Sequence, residues 1–386
     1  MRVVLLTGIW PPDVGGPATH GPDFARFLRD RGHDVRVVTM GDAEPTERPV
    51  PVTTIARGKP FVVRYPLVAT TGFRLARSAD LVYATATYAA AAVAATGRPL
   101  VAKLVSDPAY ERARRYGVFT GSLEDFQQAQ GAGVTTLKRL RSTALRRARR
   151  VVVPSRYLAD IATGWGLDPS RVEVLVNPAP PPQTVEAEPL DPGTLVFVGR
   201  LTEQKGLPVL LEALRRVDGA KLVLVGDGPE RERLTSLAAQ LDLDGRTKFT
   251  GSLPRDEVLR YLSGATAAVL SSSWENLPHS AVEALAVGTP VVSTAVGGVP
   301  EVVHDRENGL LVPPDDPEAL AAALTRLIED PDHRASLAAG ARKRAVELTP
   351  ERMLDGYLAA YGELLAERQA PSLASHGELV AAPMAV

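Results

Sequence analysis

The sequence predicts an α/β protein in which two doubly wound parallel-sheet domains face a central cleft. Length is the first reason, because 386 residues are too many for a single hydrophobic core. Patterning is the second, since short runs rich in valine and leucine alternate with longer segments of helical period. The third is a break in this alternation, after which the same rhythm resumes. Together these observations predict two similar halves rather than one large sheet.

The short apolar runs predict the strands of both sheets. Valine and leucine fill them almost without interruption, as expected for parallel strands covered by helices on both faces. Between the first two runs, Phe24, Phe27 and Leu28 recur at helical spacing and predict a covering helix. The predicted strands are, in chain order, RVVLLT, DVRVVT, PVTTIA, DLVYAT, PLVAKLV, RRVVVPS and RVEVLV, then TLVFVG, AKLVLVG, TKFTG, AAVLSSS, PVVST and NGLLV.

The break in the alternation falls between Asn177 and Gly193, in the segment NPAPPPQTVEAEPLDPG. Its proline and acidic residues show no periodicity, which is typical of an interdomain linker. We therefore predict one domain at 1–180 and a second at 181–349. We also predict a terminal helix at 350–368 that crosses back to the first domain, and a disordered tail at 369–386.

Composition excludes several classes of function. The chain has no cysteine, which excludes disulfides, thiolate metal sites and a cysteine nucleophile and suits a reducing compartment. The formal net charge of -1 gives no reason to expect a nucleic-acid partner. RVVLLTG follows Met1 directly, without the long apolar core of a signal peptide, and no apolar run is long enough to span a membrane. We therefore expect a cytoplasmic protein.

Ligands of open parallel sheets bind beyond the carboxyl ends of the strands, so we expect the binding residues in the loops that follow strands. The first strand is followed by TGIWPPDVGGPATHG, in which Gly15 and Gly16 precede a predicted helix. Glycines there let the backbone approach a phosphate or a sugar closely, although such a pair is more often a simple connection. His20 is expected near the start of this helix, with a smaller chance of facing a ligand.

The first strand of the second half ends in VFVGRLTEQKGLPVLLEAL. Arg200 and Lys205 flank the loop there, and we expect a helix to begin at about Lys205. Two cations near a helix N-terminus form an anion site, whereas one such pair considered alone is more often a solvated surface feature. A lysine is itself disfavoured at a helix N-terminus, and a bound anion would explain its presence.

Two other loops of the second half have structural interpretations. VLVGDGPERERL follows the next strand, where Gly226 and Gly228 allow a tight turn and Pro229 suits the first helical position. The Asp-x-Asp of LDLDG, Leu241 to Gly245, is a pattern that also occurs in metal sites. It falls between a helix end and a strand start, on the side of the sheet away from the cleft, so we expect no metal there.

The stretch SSSWENLPHSAVEALAVGTPVV carries the strongest signal. Glu275 lies in the loop after a strand, a helix starts near His279, and Glu283 lies one turn into that helix. The free N–H groups around Pro278 to Ala281, supplied by the residues other than the proline, suit a diphosphate. An acid before them suits sugar hydroxyls and an acid after them suits ribose hydroxyls. This order of acid, amides and acid predicts a nucleotide-sugar site.

GRLTEQKG followed by ENLPHSAVEALAVGTPVVSTAVGGVPEVV closely resembles the family-four retaining glycosyltransferases of the GT-B fold, which have two Rossmann-like domains. The resemblance covers nearly the whole chain. It implies that the first domain binds the acceptor and the second binds the nucleotide sugar, without a metal or another cofactor. The expected catalytic residues are Arg200, Lys205, Glu275 and Asp107, and the expected donor-binding residues are Gly16, Arg200, Lys205, Glu275, Asn276, Leu277, Pro278, His279, Ser280 and Glu283.

The implied roles differ among these residues. Arg200 and Lys205 bind the donor diphosphate, Glu275 contacts the transferred sugar and Glu283 contacts the ribose, while Gly16 lies against the donor from the other domain. Two departures from the family pattern bear on the substrate. Many relatives have a histidine after the strand LVAKLV, where this chain has Ser106 and Asp107, and many have a smaller residue where it has His279. Asp107 is expected either to hydrogen-bond the sugar or acceptor, or simply to cap a helix before Pro108.

The acceptor is less well defined by the sequence. The opening segment together with KLVSDPAYERARRYG resembles glycosyltransferases that build aminoglycoside antibiotics, the kanosaminyl type in particular, and also bacterial envelope polysaccharide enzymes. An aminoglycoside precursor is a polycation. The residues expected to receive it are Asp13, His20, Asp107 and Glu111, with Asp23 nearby.

Two alternatives remain open. Leu137–Arg150, LKRLRSTALRRARR, predicts a basic helix that could dock on an anionic membrane and give access to a lipid-linked acceptor. Its arginines are spread around the helix, so a solvated face is favoured and a small soluble acceptor is the main hypothesis. A non-catalytic sugar-nucleotide sensor is the second alternative, against which the presence of both carboxylates and both cations argues. Oligomeric state, donor sugar and nucleotide base are not determined by the sequence.

Overall fold

The computed structural model describes residues 1–13, 16–85, 93, 95–176, 185–349, 354–359 and 362. Side chains at positions 16, 17, 19, 20, 61 and 62 lie outside this description. Two parallel sheets dominate it, one of seven strands in the order β3-β2-β1-β4-β5-β6-β7 and one of six in the order β10-β9-β8-β11-β12-β13. The predicted fold class is therefore confirmed, with both sheets doubly wound.

Every predicted strand is present in the described part of the chain. The first sheet contains β1 Arg2–Leu6, β2 Asp34–Met40, β3 Val52–Ile55, β4 Leu81–Ala84, β5 Leu100–Lys103, β6 Arg150–Val153 and β7 Val172–Val174. The second contains β8 Thr194–Val198, β9 Lys221–Val225, β10 Thr247–Gly251, β11 Ala267–Leu270, β12 Val291–Thr294 and β13 Gly309–Val312. The pairing is parallel throughout, as apolar strands buried on both faces require.

Helices cover both faces of each sheet. Around the first sheet the structure describes α1 Gly16–Asp30, α2 Phe61–Ala76, α3 Pro108–Arg115, α4 Leu123–Gln128, α5 Ala132–Leu145 and α6 Arg156–Gly164. Around the second it describes α7 Leu207–Arg215, α8 Arg231–Gln240, α9 Arg255–Gly264, α10 His279–Ala286, α11 Pro317–Glu329 and α12 Pro331–Glu347. Residues 354–359 are also helical and return to the first domain, where Tyr357 packs against Phe24.

The basic helix at Leu137–Arg150 is corrected by the structure. Helix α5 begins earlier, at Ala132, and ends at Leu145, while Arg150 already belongs to β6 and pairs with Val101. The basic residues after Leu145 therefore lie in a turn rather than along one helical face. Among the described residues, no helix is long and apolar enough to cross a bilayer.

Each sheet reverses its strand order once, and this places the site. The reversal falls between β1 and β4 in the first sheet and between β8 and β11 in the second. The carboxyl ends of neighbouring parallel strands lie at one edge, and ligands of such sheets bind where the order reverses. The loops after β8 and β11 are therefore adjacent, as the hydrogen bond from Ser273 N to Gln204 O, 2.9 Å long, shows.

The two domains contact each other across the cleft. Helix α6 of the first domain begins at Arg156, and its first two backbone amides donate to the carboxylate of Glu301, at 2.8 Å from Arg156 and 3.0 Å from Tyr157. A carboxylate is well placed there because a helix N-terminus carries partial positive charge. The proposed linker residues 177–184 lie outside the described residues, so the exact domain boundary stays a prediction.

Candidate active site

The loop between β11 and α10, Ser271–Pro278, forms one wall of the candidate site and is called the β11 loop here. A glycine turn after β12 supports it from behind. A Cβ at Gly297 would lie 1.7 Å from the carbonyl oxygen of Glu275, and one at Gly298 would lie 1.8 Å from that of Asn276. Gly297 also has a φ of 53°, which favours glycine. Any larger residue at either position would displace the loop.

Lys205 and Glu275 form an ion pair at the centre of this wall. Glu275 is buried and also accepts a hydrogen bond of 2.7 Å from the hydroxyl of Ser272. Lys205 closes a 3₁₀ turn, and Gly206 follows with a φ of 58°, where a Cβ would lie 2.1 Å from the carbonyl oxygen of Ser271. The two loops are thus held in close contact by backbone packing and by one ion pair.

The start of the helix after this lysine differs slightly from the prediction. Helix α7 begins at Leu207, after the 3₁₀ turn, instead of at about Lys205. The anion that we expected beside the lysine is supplied by the protein itself, as Glu275. A ligand phosphate would therefore join an existing pair rather than neutralise a lone cation.

Helix α10 begins at His279, as predicted, with Pro278 as its N-cap and no side-chain cap within the described residues. Burial lowers the pKa of His279 to about 4, assisted by the positive charges of Lys103, Arg255 and Lys205. The imidazole is therefore neutral at pH 7. Uncapped amides and surrounding cations together give this helix start a positive potential, which suits an anionic ligand.

Glu283 lies one turn into α10, as predicted, and is mostly buried. Arg255 of α9 approaches it, with 3.4 Å between Nε and Oε1. Burial raises the pKa of Glu283, while the charge and hydrogen bond of Arg255 act in the opposite direction. The predicted contact of Glu283 with a ribose stays a prediction.

Arg200 occupies a different position from Lys205. It is exposed, directly after β8, and it does not line the cavity described next. The turn Gly226–Gly228 supports the segment around it, since a Cβ at Gly226 would lie 2.0 Å from the carbonyl oxygen of Gly199. The structural interpretation of these two glycines is therefore correct, and the role of Arg200 in binding diphosphate stays a prediction.

A cavity of about 200 Å³ lies between the two domains. Its second-domain wall is the β11 loop with His279, and its first-domain wall is the segment after β5. The residues lining it are Val105, Ser106, Glu111, Pro154, Gln204, Trp274, Glu275, Asn276, Leu277 and His279. The structure thus brings Glu111 together with four predicted donor-binding residues, in a volume suited to one sugar ring. Pro278 and Ser280 adjoin this wall without lining the cavity.

Asp107 does not reach the cavity, which corrects its predicted contact with a sugar or acceptor. It is fully buried, caps α3 by accepting from the amide of Ala109 at 2.8 Å, and pairs with Arg141 at 2.5 Å. Arg141 is also buried and stacks 3.8 Å from the ring of Trp165. The helix cap before Pro108 is therefore present, as one of the two interpretations of Asp107 predicted, and its catalytic role stays a prediction.

The remaining first-domain residues have mixed outcomes. Asp13 is bound by Arg57 at 2.6 Å, and that hydrogen bond lowers its pKa, so its charge is already compensated. Asp23 lies within α1 and pairs with Arg26 on the surface. Gly16 begins α1 after residues that lie outside the description, and the His20 side chain also lies outside it. Both of these roles stay predictions.

Several residues of the site were not predicted. Ser272 hydrogen-bonds Glu275, and Trp274 contributes an aromatic wall and packs 5.7 Å from Tyr110 of the first domain. Their signal was present in the quoted stretch, because a strand end followed by a helix start places the whole loop at the cleft. Buried Lys103, discussed below, had no comparable signal.

The Asp-x-Asp segment lies where the sequence placed it. Asp242 and Asp244 fall between α8 and β10, at the amino end of β10 and away from the cleft. Among the described residues, no group of three histidine, aspartate or glutamate side chains is arranged to hold a metal ion. The expected independence from metals stays a prediction to be tested in solution.

Two doubly wound domains that share one cleft define a protein of the GT-B fold, and the match with solved structures agrees. The Anabaena protein HepE, solved in complex with UDP, superimposes with a TM-score of 0.75 at 22% identity, covering 94% of this chain and 100% of HepE. At that identity the likeness establishes the fold alone. It does not establish a shared ligand.

Family membership follows from the sequence. A model described as Glycosyltransferase Family 4 matches residues 14–181, and one described as Glycosyl transferases group 1 matches residues 183–344. The 2-deoxystreptamine N-acetyl-D-glucosaminyltransferase of Streptomyces fradiae is 31% identical, covering 94% of this chain and 97% of that protein. The chain therefore belongs to this family of glycosyltransferases.

Another relative matches over a shorter length. The lipopolysaccharide core biosynthesis glycosyltransferase LpsE of Rhizobium meliloti is 37% identical over 171 residues, which is 44% of this chain and 50% of LpsE. The chain thus matches about half the length of that relative. The enzyme class is common to these proteins, while the acceptors that their names describe differ.

Proposed function

We propose that the protein is a retaining glycosyltransferase that moves a hexose or aminohexose from a nucleotide-diphosphate sugar, a UDP-sugar in particular, to a hydroxyl of a small acceptor of the aminocyclitol class. The observation that carries this proposal is the interdomain cavity between Glu275 and Glu111, beside the uncapped start of α10. One sugar ring fits the cavity, and the helix start is suited to the attached diphosphate.

The donor part of the proposal is supported by charge and by placement. Lys205 adjoins Glu275, so a phosphate near the lysine brings the attached sugar close to the carboxylate. The α10 amides continue the same line away from the cavity towards Glu283, which suits a ribose. HepE, of the same fold, was solved with UDP, and this agreement is the reason for placing UDP-sugars first.

Retention is proposed from the resemblance to retaining glycosyltransferases, and a route without a covalent intermediate is proposed because the described lining residues of the cavity offer no free carboxylate as a nucleophile. Glu275 is engaged by Lys205 and Ser272. Glu111 accepts a hydrogen bond from Ser106, and burial raises its pKa. Carboxylate nucleophiles of retaining glycosidases need an ionised oxygen beneath the anomeric carbon. We infer that neither glutamate has that role here.

The proposed chemical step therefore takes place on one face of the sugar. The bond between the anomeric carbon and the phosphate oxygen breaks, and its electron pair leaves with the diphosphate. The acceptor oxygen forms the new bond from the same face, and its proton passes to the leaving phosphate. Lys205, Arg200 and the α10 amides stabilise the charge that develops on the phosphate. This route needs no metal, so a chelator should leave activity unchanged.

The acceptor part rests on Glu111 and on a relative. Glu111 is the first-domain carboxylate in the cavity. The described cavity lining contains no lysine or arginine, and its one histidine, His279, is neutral at pH 7. An ammonium group on the acceptor would pair with Glu111 and favour its ionised form, against the effect of burial on its pKa. The full-length relative named for 2-deoxystreptamine, an aminocyclitol, supports the same class.

A screen of UDP-sugars against acceptors, read by mass spectrometry, tests the proposal. The panel should contain 2-deoxystreptamine, paromamine, neutral cyclitols and lipid-linked sugars, with Glu275→Gln as the inactive control. We expect a hexose or aminohexose mass added to an amine-bearing acceptor. Release of the nucleotide diphosphate without any transferred product, or transfer to neutral cyclitols alone, would remove the aminocyclitol assignment.

A lipid-linked acceptor is the second candidate, and one surface feature favours it. Tyr116, Val118 and Leu140 are exposed by 57%, 45% and 52%, in the α3–α5 part of the first domain, where basic residues are frequent. Apolar and basic side chains together suit an anionic bilayer. Flotation with anionic vesicles distinguishes the candidates. A lipid acceptor would be favoured if the protein binds the vesicles, if the double substitution Arg146→Gln and Arg147→Gln abolishes that binding, and if activity requires vesicles.

A further inference from the structure

Lys103, the last residue of β5, has an unusual environment. Its side chain is only 2% exposed, and its ammonium has no hydrogen-bond partner among the described residues. The nearest feature that the structure gives it is the ring of Tyr357, whose centroid lies 5.3 Å away. Burial alone lowers its pKa to about 7, and no described carboxylate acts against that effect.

Such a residue is not explained by stability. A cation–π contact recovers less than the removal of an ammonium from water costs, so a methionine of similar length would pack at lower cost. Buried polar groups in folded proteins nearly always have partners. A buried cation without one, at the edge of a cleft, indicates that its partner is a ligand.

The position of Lys103 identifies the part of the cleft that it serves. Lys103 ends β5, and the segment that follows it, Val105 and Ser106, forms part of the cavity wall, whereas Lys103 itself does not line the cavity. Val105 lines the cavity and accepts a hydrogen bond from Asn276 of the second domain. The charge of Lys103 also acts on His279, the first residue of α10. Lys103 therefore approaches the donor-binding helix from the first domain.

The neighbouring cations already have partners. Lys205 is paired with Glu275, and Arg255 is paired with Glu283. Three cations act on His279 through their charge, and among the described residues Lys103 is the one of these three that has no carboxylate as an ion-pair partner. The uncompensated charge at the start of α10 thus comes from this lysine and from the helix amides together. Both would be satisfied by the same anion.

We propose that Lys103 is the first-domain cation of the donor site and binds the diphosphate of a nucleoside diphosphate or nucleotide sugar. This assignment rests on the proposed function, since it takes the donor to be the anion in the cleft. It makes the donor site bipartite, with Lys205 and the α10 amides on one side and Lys103 on the other. The flexible lysine side chain turns from the Tyr357 ring towards the phosphate when the donor enters.

Calorimetric titration tests the assignment with UDP, ADP and GDP and with uridine, adenosine and guanosine. The test variant is Lys103→Met, and the control is Lys138→Met, which removes a first-domain lysine that donates to the carbonyls of Gln127 and Ala129, outside the cavity. We expect the preferred diphosphate to bind roughly 10-fold to 100-fold more weakly to Lys103→Met, as the loss of a charge-assisted hydrogen bond implies. Nucleoside affinity should stay constant, and the control should match wild type.

The outcomes separate this inference from the proposed function. A wild-type protein that binds no diphosphate would refute both. Binding to wild type and to Lys103→Met with equal affinity would leave the proposed function intact and refute the role of Lys103. Equal loss of nucleoside and diphosphate affinity would show a structural role and refute it as well. Lys103→Gln serves as a second variant. A thermal melt of each variant excludes misfolding, because the removal of an unpaired buried charge should not lower the melting temperature below that of wild type.

Discussion

Charge pairing governs the chemistry of the cleft at the scale of single residues. Glu275 is held by Lys205 and Ser272, and Glu283 is approached by Arg255. In the proposed function, a donor phosphate would therefore enter a site that these contacts already organise. Preorganised charge of this kind contributes most when charge develops during the reaction.

The first residue-scale prediction concerns Lys205. Lys205→Met removes the cation nearest Glu275, so turnover should fall roughly 100-fold, which corresponds to about 3 kcal/mol of transition-state stabilisation, with a smaller loss of donor affinity. Arg200→Ala should act in the same direction. Steady-state kinetics with a UDP-sugar measure both effects. Lys221→Met is the matched control, because Lys221 pairs with Asp191 on the surface. Near-normal turnover in both test variants would contradict the diphosphate assignment.

The second residue-scale prediction is a pH dependence of stability caused by His279. Its folded-state pKa of about 4 lies below the ordinary value of 6.5, so between these values the unfolded chain binds a proton that the folded protein does not. The free energy of unfolding should therefore decrease as pH falls through this window, by up to about 3 kcal/mol from this group. Urea unfolding of wild type and His279→Gln measures it. Identical pH profiles for the two proteins would contradict the prediction.

Elements position these residues through contacts that are remote in sequence. The helices α3, α4 and α5 form a cluster beside the cavity, and the buried pair of Asp107 and Arg141 links α3 to α5. Asp107 also caps α3, and Gln127 of α4 donates to it at 3.1 Å. The segment that presents Ser106 and Glu111 to the cavity therefore depends on this network.

Replacement of Asp107 tests that dependence. Asp107→Ala removes the cap and leaves Arg141 buried without its carboxylate, so the free energy of unfolding should fall by about 3–5 kcal/mol. Urea unfolding measures the change. Glu44→Ala is the control, since it breaks the exposed pair with Arg48 and should cost less than about 0.5 kcal/mol. A similar small effect of both substitutions would show that the buried network does not stabilise the first domain.

The elements themselves were largely predictable from the sequence, and the reason is local. Strands such as β8 and β11 are continuous apolar runs, and the start of α10 follows from a proline and a change of periodicity. The partner of Asp107 was not predictable, because Arg141 lies on another helix and looked like part of a solvated basic face. Burial of Lys103 likewise depends on residues distant in sequence, among them Tyr357. Periodicity identifies elements, whereas long-range charge pairing requires their arrangement in space.

At the scale of the whole molecule, the site exists only where the domains meet. The cavity takes Glu111 from one domain and Glu275 from the other, and Glu301 caps helix α6 across the cleft. We expect a hinge at Pro180–Pro182, which lies outside the described residues, acting together with the chain near Thr349, which follows α12. Donor binding should therefore favour closure, since first-domain residues reach the donor only across a narrow cleft.

Solution scattering tests this closure. We expect the radius of gyration to decrease when a UDP-sugar and an acceptor are added, and Glu301→Ala to increase it in the absence of ligand because the contact of Glu301 with the first amides of α6 is lost. Glu318→Ala, in the exposed first turn of α11, serves as the control. An unchanged radius with saturating ligands, in a protein that turns over, would contradict the hinge.

Proton NMR of one reaction tests the central claim most directly. The protein is mixed with a UDP-α-sugar and 2-deoxystreptamine, and the anomeric signals of donor and product are followed together. We predict that the donor signal is replaced by free UDP and by a single product whose anomeric coupling is that of an α-glycoside, with EDTA present throughout. A β-linked product would contradict the same-face mechanism. A donor that stays intact with every acceptor, or a reaction that EDTA stops and manganese restores, would contradict the site described here.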